Sequence, residues 1–258
     1  MKTSQVSKIT PLIPILTVVM LAGCQPKQPE QKPSEHKVEM TQNQIPLIQA
    51  KVITVKIPKQ KVCLEDGCTQ YDLQTVETNQ KWINDYFNNR IKKAEPNAFA
   101  NIPDQQVQEP ANANLVNESN IDVRFVGQNY NLATFAIQTY VYPAGAAHGM
   151  YHQEFVNFDL NTKKHITVNE LVKPEMNQKL RDELYAANQN WLEEHNIKKD
   201  QLQLSDNYYY GVNGIVFVYP LYELASYAEG MSELTLPYYA VKQFIKAEYL
   251  PSLPKQAD

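Results

Sequence analysis

The stretch 130–160, "YNLATFAIQTYVYPAGAAHGMYHQEFVNFDL", decides how this chain folds. Residues 130–142 read as one long strand, rich in aromatic and β-branched side chains. Pro143, Gly145 and Gly149 then exclude a helix and mark a loop over 143–150. From Tyr151 the pattern alternates, with His152 and Glu154 on one face and Gln153 and Phe155 on the other. Just upstream, Ile121, Val123 and Phe125 alternate with Asp122 and Arg124, a strand with one buried face. Gly127-Gln128-Asn129 predicts the turn into the next strand, and Asn161 to Lys164 the turn after the last. The sum is an antiparallel meander.

Beyond the meander, Thr167 to Glu170 has the spacing of a capping box. Pro174 suits the first turn of a longer helix with Met176, Leu180, Leu184, Ala187 and Trp191 on one face. A hairpin about Asn213-Gly214 follows, then a strand over 232–238 and a closing helix over 238–250. Upstream, 51–58 reads as a strand interrupted by Pro58. A helix opens near Thr78, its expected cap, with Trp82, Ile83, Tyr86, Phe87 and Ile91 on one face and Lys92 and Lys93 at its carboxyl end. Residues 95–119 carry three prolines and read as an irregular crossing. The expected class is α+β, an antiparallel sheet with packed amphipathic helices.

Cys63 and Cys68 flank the turn signal Asp66-Gly67, where a tight hairpin brings two α-carbons into disulfide range. The first residues supply the oxidising compartment that a disulfide needs. Lys2 and Lys8 precede an apolar run over 9–21, too short for a membrane span, and Leu21-Ala22-Gly23-Cys24 resembles a bacterial lipobox. That resemblance implies cleavage after residue 23, a lipid on the Cys24 sulfur, and anchoring by two or three acyl chains. Gln25, in place of Asp, resembles the pattern sorted to the outer membrane, facing the periplasm. Residues 24–50 are rich in Gln, Pro, Lys and Glu and read as a disordered tether. The body divides into an amino-terminal segment over 51–119 and a carboxyl-terminal domain over 120–250. Removing 1–23 takes two lysines and no acid, so 22 basic groups face 28 acidic ones, a net charge of −6. No clustered basic face marks a nucleic-acid partner.

His148 and His152 are the obvious candidates for chemistry. Four residues along a strand span about 13 Å at ~3.3 Å per residue, too far to share one metal ion. No His-Glu-x-x-His or Gly-x-Ser-x-Gly motif is present. The expectation is therefore no metal, no cofactor and no enzymatic activity, with a cell-wall hydrolase or deacetylase as the alternative. Binding is left to surface groups: His148 in its loop, and three of the sixteen tyrosines, Tyr208, Tyr209 and Tyr210. Three consecutive tyrosines on a strand cannot all face the core.

The segments "AGAAHGMYHQEFVNFDLNTKKHITVNELV", "NYYYGVNGIVFVYPLYELASYAEG" and "ELTLPYYAVKQF" together resemble the extracytoplasmic domain of unknown function found in RsiV-like proteins. The resemblance covers roughly 120–245, and His148 falls on that family's Gly-Ala-His loop, with Ala146 where a second glycine is common. It implies an α+β domain displayed outside the cytoplasm. RsiV is an anti-sigma factor whose external domain binds lysozyme. No segment here resembles the part that holds a sigma factor, so that activity is not implied. What is implied is recognition of a lysozyme-like protein or of peptidoglycan.

Overall fold

In a computed structural model the described residues are 45–65, 67–105 and 116–251. Cys24 and most of the expected tether lie outside them. The first strands are β1 (Ala50–Thr54), β2 (Lys61–Leu64) and β3 (Gly67–Thr78), followed by α1 (Lys81–Ala94) and the short α2 (Pro96–Phe99). The meander is β4 (Asn117–Asn129), β5 (Leu132–Tyr142), β6 (Met150–Asp159) and the two-residue β7 (Lys164–His165). Then come α3 (Val168–Leu171), α4 (Asn177–Ala187), α5 (Gln189–Glu194), β8 (Tyr208–Tyr210), β9 (Gly214–Tyr219), β10 (Ser232–Pro237) and α6 (Tyr238–Val241).

Seven strands form one sheet in the order β1-β3-β4-β5-β6-β7, with β2 also paired to β3; β10-β9-β8 form a second. Every pairing is antiparallel except β3 with β4, which is parallel. Parallel neighbours need a long crossover, and the chain from Asn79 to Val116, with α1, supplies it. The sheet is continuous across the expected boundary at 119/120, which falls inside β4.

Alternation fixes which face of the large sheet is buried beneath α1. Ile83, Phe87 and Ile91 of α1 pack with Ile121, Val123, Phe135 and Phe158. The Phe158 ring meets Trp82, Tyr86 and Phe87 edge-on, the favoured aromatic geometry. A second core joins α4, α5 and the smaller sheet through Leu180, Leu184, Leu192, Phe217 and Tyr219.

Two asparagines join the sheets. Asn157 of β6 accepts from Thr134 and donates to the Tyr208 carbonyl, each at 2.7 Å. Asn207 pairs its amide with the backbone of β6, accepting from Phe155 N at 2.8 Å and donating to Gln153 O at 2.7 Å. A side-chain amide thus imitates one rung of a neighbouring strand. Residues just before β1 are held similarly. Gln128 accepts from Ile48 N and donates to Pro46 O, at 2.9 and 3.0 Å, while Asn79 accepts from Gln49 N and donates to Leu47 O.

Local details depart from the sequence reading. Thr78 ends β3 and does not cap α1, whose N-cap is Gln80. The turn expected at 127–129 lies at Tyr130-Asn131, with Tyr130 at φ 51°, while Gly127 sits at an irregularity of the β4–β5 register. The longer helix breaks at Asn188 into α4 and α5, leaving Ala187 exposed and Leu192 buried. The closing helix shrinks to α6 and a 3₁₀ turn at Ala247–Tyr249. Cys63 and Cys68 are directly opposed on β2 and β3 and are disulfide-bonded.

Candidate functional site

The loop over 143–149 is shaped by its own backbone. Ala146 N donates to Pro143 O, the Tyr142 hydroxyl to Ala146 O, and Ala144 N to the side chain of Asn117. Gly145 occupies the left-handed region at φ 81°. Gly149 is needed for a different reason: a Cβ there would lie 2.4 Å from the Tyr140 ring.

A second loop, 220–230, meets the first. Ser226 and Glu229 form a capping box that fixes the 3₁₀ turn Tyr227–Glu229. Tyr227 packs its ring 4.4 Å from that of exposed His148 and donates its hydroxyl to Gly149 O at 3.0 Å. Tyr222, 57% exposed with φ 68°, extends the array at 5.7 Å from Tyr227, and Tyr151 flanks it at 6.3 Å. The result is an open aromatic surface carried by two loops.

The surface is held from behind by His195. Its ring stacks on Trp191 at 3.9 Å, Nδ1 faces the Trp191 carbonyl at 2.8 Å, and Nε2 faces a Glu229 carboxylate oxygen at 2.6 Å. Both neighbours are pure acceptors, so only the doubly protonated imidazolium satisfies both. The hydrogen bond to Glu229, followed by that to Trp191, raises the His195 pKa; bonds from His195 and Ser226 lower that of Glu229.

Only one of the three consecutive tyrosines is placed for contact. Tyr208 is 1% exposed and donates to Ile166 O, and Tyr210 packs against the same core. Tyr208 is thereby corrected from a binding candidate to a core residue, and Tyr210, on the same face by strand alternation, is half-buried against it. Tyr209 takes the other face, 4.3 Å from the Phe155 ring, and bonds Glu233. Burial, then the Glu233 charge, pushes its pKa up to about 12. Tyr227 was missed by the sequence reading, although Ser226-x-x-Glu229 ahead of Gly230 carries the signal of a capped turn.

His152 and Glu154 part from His148. They line a cleft of about 70 Å³ beside α1, floored by Ile121, Val123 and Ile137. The Glu154 carboxylate is committed to Arg90, which binds both its oxygens at 3.1 and 2.6 Å. Among the described residues no group of three or more His, Cys, Asp or Glu is arranged to hold a metal ion.

Two sheets, one mostly antiparallel and carrying α1 and one backed by α4 and α5, with an aromatic two-loop surface, define an α+β class. Residues 158–239 match a family described as a protein of unknown function, DUF3298. The fold is similar to crystal structures of two DUF3298 family proteins, each 16% identical. That from Pseudomonas aeruginosa PAO1 aligns over 81% of this chain and 99% of its own, at a TM-score of 0.59. That from Bacteroides fragilis NCTC 9343 aligns over 80% and 96%, at 0.55. No curated protein matches the chain.

Proposed function

We propose that this is a lipid-anchored protein of the cell envelope, held at the outer membrane through Cys24, that binds a macromolecular partner without enzymatic activity. The His148–Tyr227–Tyr222 array is the observation that carries the reading. The rings of His148 and Tyr222 are exposed on either side of half-buried Tyr227. Aromatic rings with polar tips suit protein contacts at low entropic cost, and this array is pre-shaped by hydrogen bonds on both loops. A lysozyme-type protein is the first candidate, supported by the resemblance to RsiV-like domains and by the charge of −6 after processing. Opposite charge speeds encounter with a basic partner more than it deepens affinity.

Salt provides the test. The mature chain, Tyr222→Ala and His148→Ala are titrated with lysozyme at low salt and near ~0.15 M, where the Debye length is ~8 Å. Binding that persists at the higher salt and weakens in both variants supports the reading. Loss of binding at ~0.15 M removes lysozyme, and equal affinity of both variants removes the aromatic surface. Peptidoglycan sacculi, tested by co-sedimentation, are the second candidate.

A further inference from the structure

A separate groove lies on the other side of α1 from the His152 cleft, between that helix and the paired strands β1 and β3. Its volume is about 690 Å³, within the ~300–1,000 Å³ of small-ligand sites. It is far from the aromatic loops: Asn117, beside the 143–149 loop, pairs with Thr69, whereas the groove meets β3 at Thr75, six residues and about 20 Å further along the strand at ~3.3 Å per residue.

Four observations describe its chemistry. Thr75, on its lining, is 2% exposed and its hydroxyl has no hydrogen-bond partner. Such a buried orphan is unfavourable; it borders the groove but is closed to solvent, so a ligand there meets it only where the lining side chains part. The side-chain amides of Asn88 and Asn89, on the helix wall, make no hydrogen bond to the described protein. Lys56 on the strand side and Lys92 on the helix have no carboxylate within ion-pairing distance among the described residues, while the groove's own Asp85 is occupied by Lys81. Phe99 offers an apolar ring, with the Lys92 ammonium 5.8 Å from its centre.

Two uncompensated cations on opposite walls call for an anion. Free amides and an orphan hydroxyl call for a ligand that both donates and accepts, and the ring for one with an apolar face. A sugar carrying carboxylates combines all three. An extended acidic peptide is the competing occupant. β1 is paired to β3 along one side, through the Ile53–Thr75 pairing and the Val55 N to Leu73 O bond at 2.8 Å, and lies at the sheet edge, so the peptide has to be distinguished by experiment.

We propose that the groove between α1 and β1 is a binding site for an acidic saccharide, with Lys56 and Lys92 pairing its carboxylates and Asn88, Asn89 and Thr75 its hydroxyls. The site stands apart from the aromatic surface, so either can fail without the other.

The test follows the side-chain amide signals of Asn88 and Asn89 by nuclear magnetic resonance in the isotope-labelled mature chain. The probes are a hyaluronan tetrasaccharide, the uncharged chitotetraose, and tetraglutamate. Hyaluronan is expected to shift both amides at concentrations where chitotetraose and tetraglutamate do not. Combined Lys56→Gln and Lys92→Gln is expected to weaken that binding about tenfold or more, as loss of charge-assisted contacts does. Thr75→Val, which keeps the shape and removes the hydroxyl, is expected to weaken it with the amide spectrum of the fold unchanged. Silent amides, an equal response to chitotetraose, a stronger response to tetraglutamate, or undiminished affinity in the lysine or Thr75 variants overturns the proposal.

Discussion

The side chain of Asn188 pairs with the backbone of Thr235, accepting from its N–H at 3.2 Å and donating to its carbonyl at 3.0 Å. β10 lies at the edge of its sheet, and this amide takes the place of the missing strand. It also bonds Leu184 O, which explains why the helix breaks between α4 and α5. Asn188→Ala strands two backbone groups of Thr235. The expected loss is about 1–3 kcal/mol, read as a lower urea midpoint at unchanged slope. Stability equal to the parent would show the contact to be idle.

The His195–Glu229 pair makes the 227–229 turn pH-dependent. The His195 pKa lies above 6.5, so its contribution is complete below pH 6.5 and fades as pH rises through the raised folded value. That of Glu229 lies below 4.5, so its contribution is present above 4.5 and lost as pH falls through the lowered value. Glu194, the last residue of α5 and next to His195, adds to the upward shift. The turn is held most firmly between those limits. An imidazole titration should place His195 above 6.5 in the parent and closer to 6.5 in Glu229→Gln.

Gly214→Ala should be among the most damaging small changes. A Cβ there would lie 2.1 Å from the carbonyl oxygen of Leu236 on the paired strand, and backbone cannot swing aside as a side chain can. Overpacking of this kind costs about 1–3 kcal/mol or more. Thermal unfolding should show a clear drop, and a melting temperature equal to the parent's would contradict the close approach.

Reducing Cys63–Cys68 should change little globally. The bond closes a loop of sequence separation 5, so its stabilisation is expected at or below the low end of ~2–4 kcal/mol. Cys63→Ser with Cys68→Ser should lower the urea midpoint slightly, with faster amide exchange confined to β2 and the start of β3. Free thiols at both positions in the protein isolated from cells would refute the bond there.

Cys24 lies outside the described residues, and the anchoring proposal rests on the lipobox. Cys24→Ala should leave an uncleaved or soluble product. Recovery of the variant in the membrane fraction with normal processing would overturn it.

What was legible in the sequence was local. Alternation about Val123 and again from Tyr151 to Phe155, with the long strand-forming run 130–142 between them, gave the meander, the 167–170 spacing gave a true capping box, and the Cys63–Cys68 spacing gave the hairpin. The misreadings concern side chains whose partners lie far away in sequence. Asn188 breaks a good helical stripe because Thr235 is 47 residues on. Gln128 looked like a turn residue, yet its amide serves Pro46 and Ile48, some 80 positions earlier. Tyr208 looked like surface because composition cannot reveal which face a helix layer will cover. Tyr227 became part of the site only once two loops were brought together.

The Gln128 and Asn79 contacts decide how the molecule responds to being pulled. β1 is antiparallel to β3 with Ala50 opposite Thr78, so tension on the chain ahead of Ile45 would unzip that strand rung by rung. Before it reaches the first rung, the load meets four hydrogen bonds to side-chain amides, spread over residues 46–49, and a buried Ile48. Bonds strained together yield at higher force than bonds strained in turn. Under the anchoring proposed at Cys24, the reinforced segment is the one that would take the pull first.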